Sequence, residues 1–110
     1  MKLAEHEYEE VARRFALLSD PNRLRILAFL LENGEASPTE VAEAIGLGRT
    51  NVSQHISRLL FAGMVGRRRD GHAFRYQVID EILRPLCELV CSDLRTQSDA
   101  IGSRVGATGR

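Results

Sequence analysis

The chain has 110 residues, 44% hydrophobic and 27% charged, with a formal net charge of zero. That is the size and make-up of one ordinary globular domain, too small for two cores and too apolar for a disordered tail. No apolar run approaches the roughly 20 residues that span a bilayer. The acidic start, MKLAEHEYEE, lacks the apolar stretch of a signal peptide, so a cytoplasmic protein without membrane contact is expected.

The zero total hides a segregated distribution. From Gly48 to Val78 there are six arginines (49, 58, 67, 68, 69 and 75) and one acid, Asp70, while the remainder is acidic by as much as this stretch is basic. A polyanion responds to the local field rather than the sum, so the middle of the chain is suited to a phosphate backbone.

In chain order, a first helix is predicted from about Leu3 to Leu18, with Val11, Phe15, Leu17 and Leu18 apolar and an acidic first half. In SDPNRLRILAFLLENG, Asp20 caps a second helix and Pro21 takes its first position. Leu24, Leu27, Leu30 and Leu31 are expected to form its buried stripe, and Gly34 to stop it. SPTE at 37–40 reads as a capping box opening a short third helix that ends near Ile45. GLGR makes a turn, and a fourth helix follows to about Gly63.

RRRDGHAFRYQV then reads as a hairpin, with Asp70-Gly71 at the centre of a type I′ turn and Val65, Phe74, Tyr76 and Val78 on one buried face. A last helix starts after Asp80 and carries Ile82, Leu83, Leu86, Val90 and Leu94; Pro85 marks either its beginning or a bend. Residues 1–97 are assigned to one domain. The glycine-containing stretch 98–110, without periodicity, is expected to be a flexible tail.

The fourth helix carries the function. In GRTNVSQHISRLLFAG, Val52, Ile56, Leu59 and Leu60 recur at helical spacing, and the opposite face shows Thr50, Gln54, Ser57 and Arg58 with Ser53 at its edge. A face that only meets water is usually written with Glu and Lys; this one has amides, hydroxyls and guanidinium groups, and no acid from Arg49 to Met64. Such side chains suit base edges in a major groove, where carboxylates would be repelled by phosphate. Ala42, Gly46 and Val52 fit the tight turn between two crossing helices: a small residue for close approach, a glycine for the left-handed turn, a branched residue for the angle.

The DNA-contacting set is therefore Arg49, Thr50, Asn51, Ser53, Gln54, Ser57 and Arg58 on the helix, with Arg67, Arg68, Arg69, His72 and Arg75 on the hairpin wing. The wing arginines are expected to meet backbone phosphates or a minor groove. His55 is expected to pack and hydrogen-bond rather than to touch a base. The fold class is mainly α with a small β-hairpin, a winged helix-turn-helix in the order α-α-α-α-β-β-α.

LSDPNRLRIL, VAEAIGLGRTNVSQHISRLLFAGMV and RRRDGHAFRYQV together resemble the ArsR family of small dimeric repressors, from about Phe15 to Tyr76. The resemblance implies a winged helix that dimerises through its first and last helices and represses an operator until a metal ion or another signal arrives. Candidate interface residues are Phe15, Leu83, Leu86, Val90 and Leu94. The expected partners are duplex DNA with two-fold symmetry and a second copy of the chain, with an unidentified small effector possible.

The chain departs from the family at its metal positions. The Cys-x-Cys pair opening the third helix is replaced by Ser37 and Thr39. Of the last-helix site, Asp80 matches one ligand, but Ile82 stands where a histidine belongs, and Asp93 and Thr96 occupy the partner positions. Zinc favours four good ligands, so no metal site and no cofactor are assigned. Cys87 and Cys91, four apart, put two thiols on one helix face. They are read either as small hydrophobes in a dimer seam or as a sensor of oxidants, soft metals or arsenite. No enzyme is expected: His6, His55 and His72 are scattered and no nucleophile has a base at motif spacing. The remaining alternative is a winged helix whose basic hairpin binds an acidic protein.

Overall fold

The computed structural model describes the backbone of residues 2–107 and the side chains of residues 2–99. Its elements are α1 (Glu5–Leu17), α2 (Pro21–Asn33), α3 (Pro38–Ile45), α4 (Arg49–Phe61), β1 (Val65–Asp70), β2 (Ala73–Val78) and α5 (Leu83–Ala107). The described residues fall into two compact units, one ending at Asp80 and one beginning at Glu81.

The helix starts have local causes. Asp20 accepts the amides of Asn22 at 2.7 Å and Arg23 at 3.3 Å, with Pro21 behind it contributing no donor to satisfy. Ser37 Oγ accepts the Glu40 amide at 3.2 Å while Glu40 Oε1 accepts the Ser37 amide at 3.1 Å, closing the capping box. In α1 the Glu7 carboxylate reaches back to the Ala4 amide at 2.8 Å, but nothing on α1 is fully buried.

In the first unit, Ile26, Leu27 and Leu30 of α2 meet Val41 and Ala42 of α3, Val52, Ile56 and Leu59 of α4, and Met64, Val65 and Tyr76 of the hairpin in one buried core. Each large apolar side chain so buried contributes about 1.5–3 kcal/mol. The buried line of α2 is Arg23, Ile26, Leu27 and Leu30. It is rotated from the predicted stripe, leaving Leu24 41% exposed and Leu31 half-buried. A helix with apolar residues at 24, 26, 27, 28, 29, 30 and 31 offers two overlapping stripes, and packing against α3 and α4 selects between them.

Gly46 closes α3 at φ 71° and ψ 33°, its amide donating to the Ala42 carbonyl. A side chain would be strained in this left-handed geometry, and the turn it makes aims α4 across α3. Val52, fully buried, fills the angle between the two helices.

The hairpin pairs Val65 with Val78 through Asp70 with Ala73, leaving Gly71 and His72 as the two-residue loop. The turn is thus centred one residue later than predicted. Gly71 has φ 65°, and among the described residues none other than glycine has positive φ. A positive φ at the first loop position only is the pattern of type II′, not type I′. A single-residue bridge, not anticipated from the sequence, flanks this two-stranded sheet: Ala36 exchanges both backbone hydrogen bonds with Tyr76, at 3.0 and 2.8 Å.

In the second unit, α5 begins two residues before Pro85, which therefore sits in the first turn, where its missing N–H has no partner to lose. The helix runs on past Gln97 to Ala107, so the irregular stretch expected from Ser98 is helical in backbone as far as that residue. Ser98-Asp99-Ala100-Ile101 contains no proline or glycine to stop it. The isolated glycines beyond cost roughly 1 kcal/mol each, too little to end a helix. The rest of the expected tail lies outside the described residues.

Candidate nucleic-acid interface

Every predicted contact residue of α4 is exposed: Arg49, Thr50, Asn51, Ser53, Gln54, Ser57 and Arg58. Burial of Val52, Ile56 and Leu59 on the opposite side turns this face outward. It lines an open groove of about 990 Å³ that includes Arg49, Thr50, Ser53, Gln54, Ser57 and Arg58. The N-cap of α4 is Gly48, which has no side chain to occupy the first-turn amides. Those donors, at the positive end of the helix dipole, are suited to a phosphate.

Beneath the groove, Arg23 is buried, with 9% of its surface exposed. Its Nε donates to the Leu17 carbonyl at 2.6 Å and its Nη2 to Ala16 at 3.4 Å, while Nη1 lies 3.4 Å from His55 Nδ1. Arginine only donates, so His55 Nδ1 accepts and its proton sits on Nε2. His55 is thus hydrogen-bonded and half-buried, away from base-reading positions. Burial disfavours the charged form of Asp20, but the Asn22 and Arg23 amides, aided by the charge of Arg23, hold its carboxyl below the ordinary value.

The wing separates its arginines into two pairs. Arg67 and Arg69 share a face with Phe74, their guanidinium carbons 4.1 and 5.9 Å from its ring centre, and both are exposed. Arg69 Nε also donates to the Gly71 carbonyl at 3.2 Å. His72 is exposed at the tip.

Arg68 and Arg75, also expected among the DNA contacts, face the other way and are engaged within the protein. Arg68 forms a two-bond fork on the Glu35 carboxylate, through Nε at 3.1 Å and through Nη2. Arg75, with only 24% of its side chain exposed, donates to Glu35 Oε1 at 3.1 Å, to Glu40 Oε1 at 2.7 Å and to the Glu35 carbonyl at 3.2 Å. The Arg68 hydrogen bond chiefly, with help from Arg75, holds the Glu35 carboxyl below its ordinary range against the effect of burial. The Ser37 amide chiefly, then Arg75, does the same for Glu40. Forty residues separate Arg75 from Glu35, and no local pattern announces such a pair.

The predicted interface residues divide as well. Phe15, Val90 and Leu94 are 59–60% exposed and Leu86 is half-buried, but Leu83 is 1% exposed within the chain and is not available to a partner. Leu89, 69% exposed, belongs with Val90 and Leu94 on α5. Cys87 is half-buried and Cys91 exposed, both as free thiols. Burial, and secondarily the neighbouring Cys91, pushes the Cys87 thiol up, which lowers its thiolate fraction. Among the described residues no group of three or more His, Cys, Asp or Glu side chains is placed to hold a metal ion. No helix among them is long and apolar enough to cross a membrane.

Comparison with known proteins agrees with this geometry. Residues 18–67 match a helix-turn-helix domain model. The chain is 39% identical over 100 residues to the HTH-type transcriptional regulator CmtR of Mycobacterium tuberculosis, covering 90% of this chain and 84% of that protein. It is 43% identical over 72 residues to a probable mercury resistance operon repressor of Streptomyces lividans, covering 66% of this chain but just 57% of that protein. The homodimeric winged helix-turn-helix DNA-binding domain of a possible ArsR-family regulator from Mycobacterium bovis superposes with a TM-score of 0.77. It is 26% identical, over 89% of this chain and 93% of that one.

A helix-turn-helix with a basic two-stranded wing defines a DNA-binding transcriptional regulator. The chain belongs to the ArsR family of these regulators.

Proposed function

We propose that the protein is a homodimeric cytoplasmic repressor that reads an operator of two-fold symmetry with α4 and steadies itself on flanking phosphates with Arg67, Arg69 and the wing tip. The observation that carries this reading is the exposed α4 face, free of acids from Arg49 to Phe61, with two cation–π-ordered arginines on the adjoining wing. Homodimerisation is supported by the exposed apolar residues Phe15 on α1 and Leu89, Val90 and Leu94 on α5. Apolar faces of this kind usually mark interfaces. Two subunits would present two recognition helices to successive turns of one duplex face.

The signal that releases the operator belongs to the same proposal. Cys87 and Cys91 remain the candidate sensing pair, needing a third soft ligand from a second subunit to hold a metal or arsenite. The raised Cys87 thiol favours the packing role over an oxidant sensor.

The test is selection of duplexes from a random pool, followed by titration of the selected duplex at several salt concentrations. Specific binding with a log–log salt slope steeper than about −4 fits several phosphate contacts per dimer. A flat slope without sequence preference would assign the basic wing to an acidic protein instead.

A further inference from the structure

A second cleft, of about 560 Å³, lies between α1 and the end of α4, lined by Glu10, Arg13, Arg14, Leu17, Ser57, Arg58, Phe61 and Ala62. Its apolar lining residues are Leu17, Phe61 and Ala62. Phe61 is 97% exposed, the largest exposure of any large apolar side chain described. Leaving a phenyl ring in water forgoes the burial energy that most such rings obtain. The core explains Ile56 and Leu59 on this helix but gives Phe61 nothing to pack against.

The rim is cationic. Glu10 is already held by Arg13 at 2.7 Å and approached by Arg14 at 3.8 Å. Arg58 forms no ion pair among the described residues. One carboxylate thus faces three guanidinium groups, leaving room for a further anion beside Arg14 and Arg58. A volume of this size suits a small ligand rather than a peptide segment.

We propose that this cleft binds an aromatic monocarboxylate, its ring stacked on Phe61 and its carboxylate received by Arg58 and Arg14, and that occupancy opposes DNA binding. Offset stacking on an exposed ring and fork-like hydrogen bonds from arginine to a carboxylate are the two recognition modes that these side chains offer. Ser57 and Arg58 belong both to this cleft and to the α4 groove. A bound carboxylate would therefore engage an arginine needed by DNA and place negative charge where a phosphate approaches. The regulatory consequence rests on the DNA-binding reading; the binding site itself does not.

The experiment is titration of the full chain with 2-naphthoate, followed by NMR, with 2-naphthylmethanol and acetate as probes lacking the charge or the ring. Saturable shifts around Phe61 and Arg58 are expected with 2-naphthoate, and affinity at least about tenfold weaker for either control, the loss expected of one good contact. Phe61→Ala and Arg14→Gln, both surface changes, should each weaken naphthoate binding about tenfold with unchanged melting. In the duplex titration, naphthoate should weaken binding by wild type but not by Phe61→Ala. Unsaturable shifts, or equal naphthoate binding by Phe61→Ala, would overturn the site. So would Phe61→Ala dissociating a dimer in place of losing naphthoate, since a second copy would then be the occupant. Saturable naphthoate binding with unchanged duplex affinity would overturn the regulatory half. A protein that binds naphthoate as described but no duplex at all would keep the site and remove the DNA-binding reading.

Discussion

Gln54 and Ser57 stand on the exposed side of α4, while Val52, Ile56 and Leu59 hold the other side in the core. Removing either polar side chain should touch recognition and leave folding intact. Gln54→Ala and Ser57→Ala are each expected to cost about 1–3 kcal/mol of discrimination between operator and random duplex. Competition titrations check this, and unchanged preference in both variants would mean that another surface reads the bases. The arginines of the wing allow a sharper contrast. Arg67→Ala and Arg69→Ala should weaken binding to all sequences alike and flatten the salt slope by roughly one unit per lost phosphate contact. Arg75→Ala should instead lower thermal stability, because its three internal hydrogen bonds tie the wing to Glu35 and Glu40. If Arg75→Ala flattened the slope as much as Arg67→Ala while melting normally, Arg75 would belong with the DNA contacts after all.

At the level of elements, the wing is docked rather than free. Backbone bonds between Ala36 and Tyr76 and the two carboxylates at 35 and 40 fasten the hairpin to the segment that opens α3. Both carboxyls are held below the ordinary glutamate value of 4.5. A carboxylate with a depressed folded pKa adds stability that is fully present above the unfolded pKa and is lost as pH falls through the folded one. The wing should therefore stay docked from neutral pH down to about 5 and loosen only below the ordinary glutamate range. Wing amide NMR signals recorded against pH would follow it, and Glu35→Gln should remove part of the acid dependence of melting. Acid melting unchanged by Glu35→Gln would mean that this carboxylate does not hold the wing.

What could be read beforehand follows from range. Helix starts at Asp20 and Ser37, the Gly46 turn and the outward face of α4 depend on neighbours within four residues, and all were legible. The α2 stripe was misplaced because its apolar residues are too many for periodicity to choose among. The hairpin loop slipped by one residue because Asp-Gly and Gly-His are both acceptable loop pairs, and pairing of Val65 with Val78 decides between them. The Arg68–Glu35–Arg75–Glu40 cluster was invisible because it joins residues 33 to 40 positions apart.

For the whole molecule, the exposed α5 face is the surface that the proposed homodimer would bury. Val90 and Leu94 are each 60% exposed and Leu89 69%, on a helix whose only fully buried described side chain is Leu83. Val90→Glu should place a charge in the seam and shift the protein from dimer to monomer in sedimentation at micromolar concentration, with duplex affinity falling in parallel. Leu86, half-buried, should tolerate Glu less well in folding and is the poorer probe. A wild-type protein that sediments as a monomer, or a Val90→Glu variant that remains a dimer, would remove α5 from the interface.

The ring of Phe74 beneath Arg67 and Arg69 has a thermodynamic consequence. A free arginine side chain carries about 2 kcal/mol of rotamer entropy, part of which must be surrendered when it settles on a phosphate. Two guanidinium groups already resting on an aromatic face have surrendered some of it before DNA arrives. Phe74→Leu keeps every charge, so counterion release and the salt slope should not change. Calorimetry should nevertheless find weaker binding with a more unfavourable entropy, the mark of arginines that must be ordered on arrival. The same affinity and entropy as wild type would mean that the ring serves the hairpin alone.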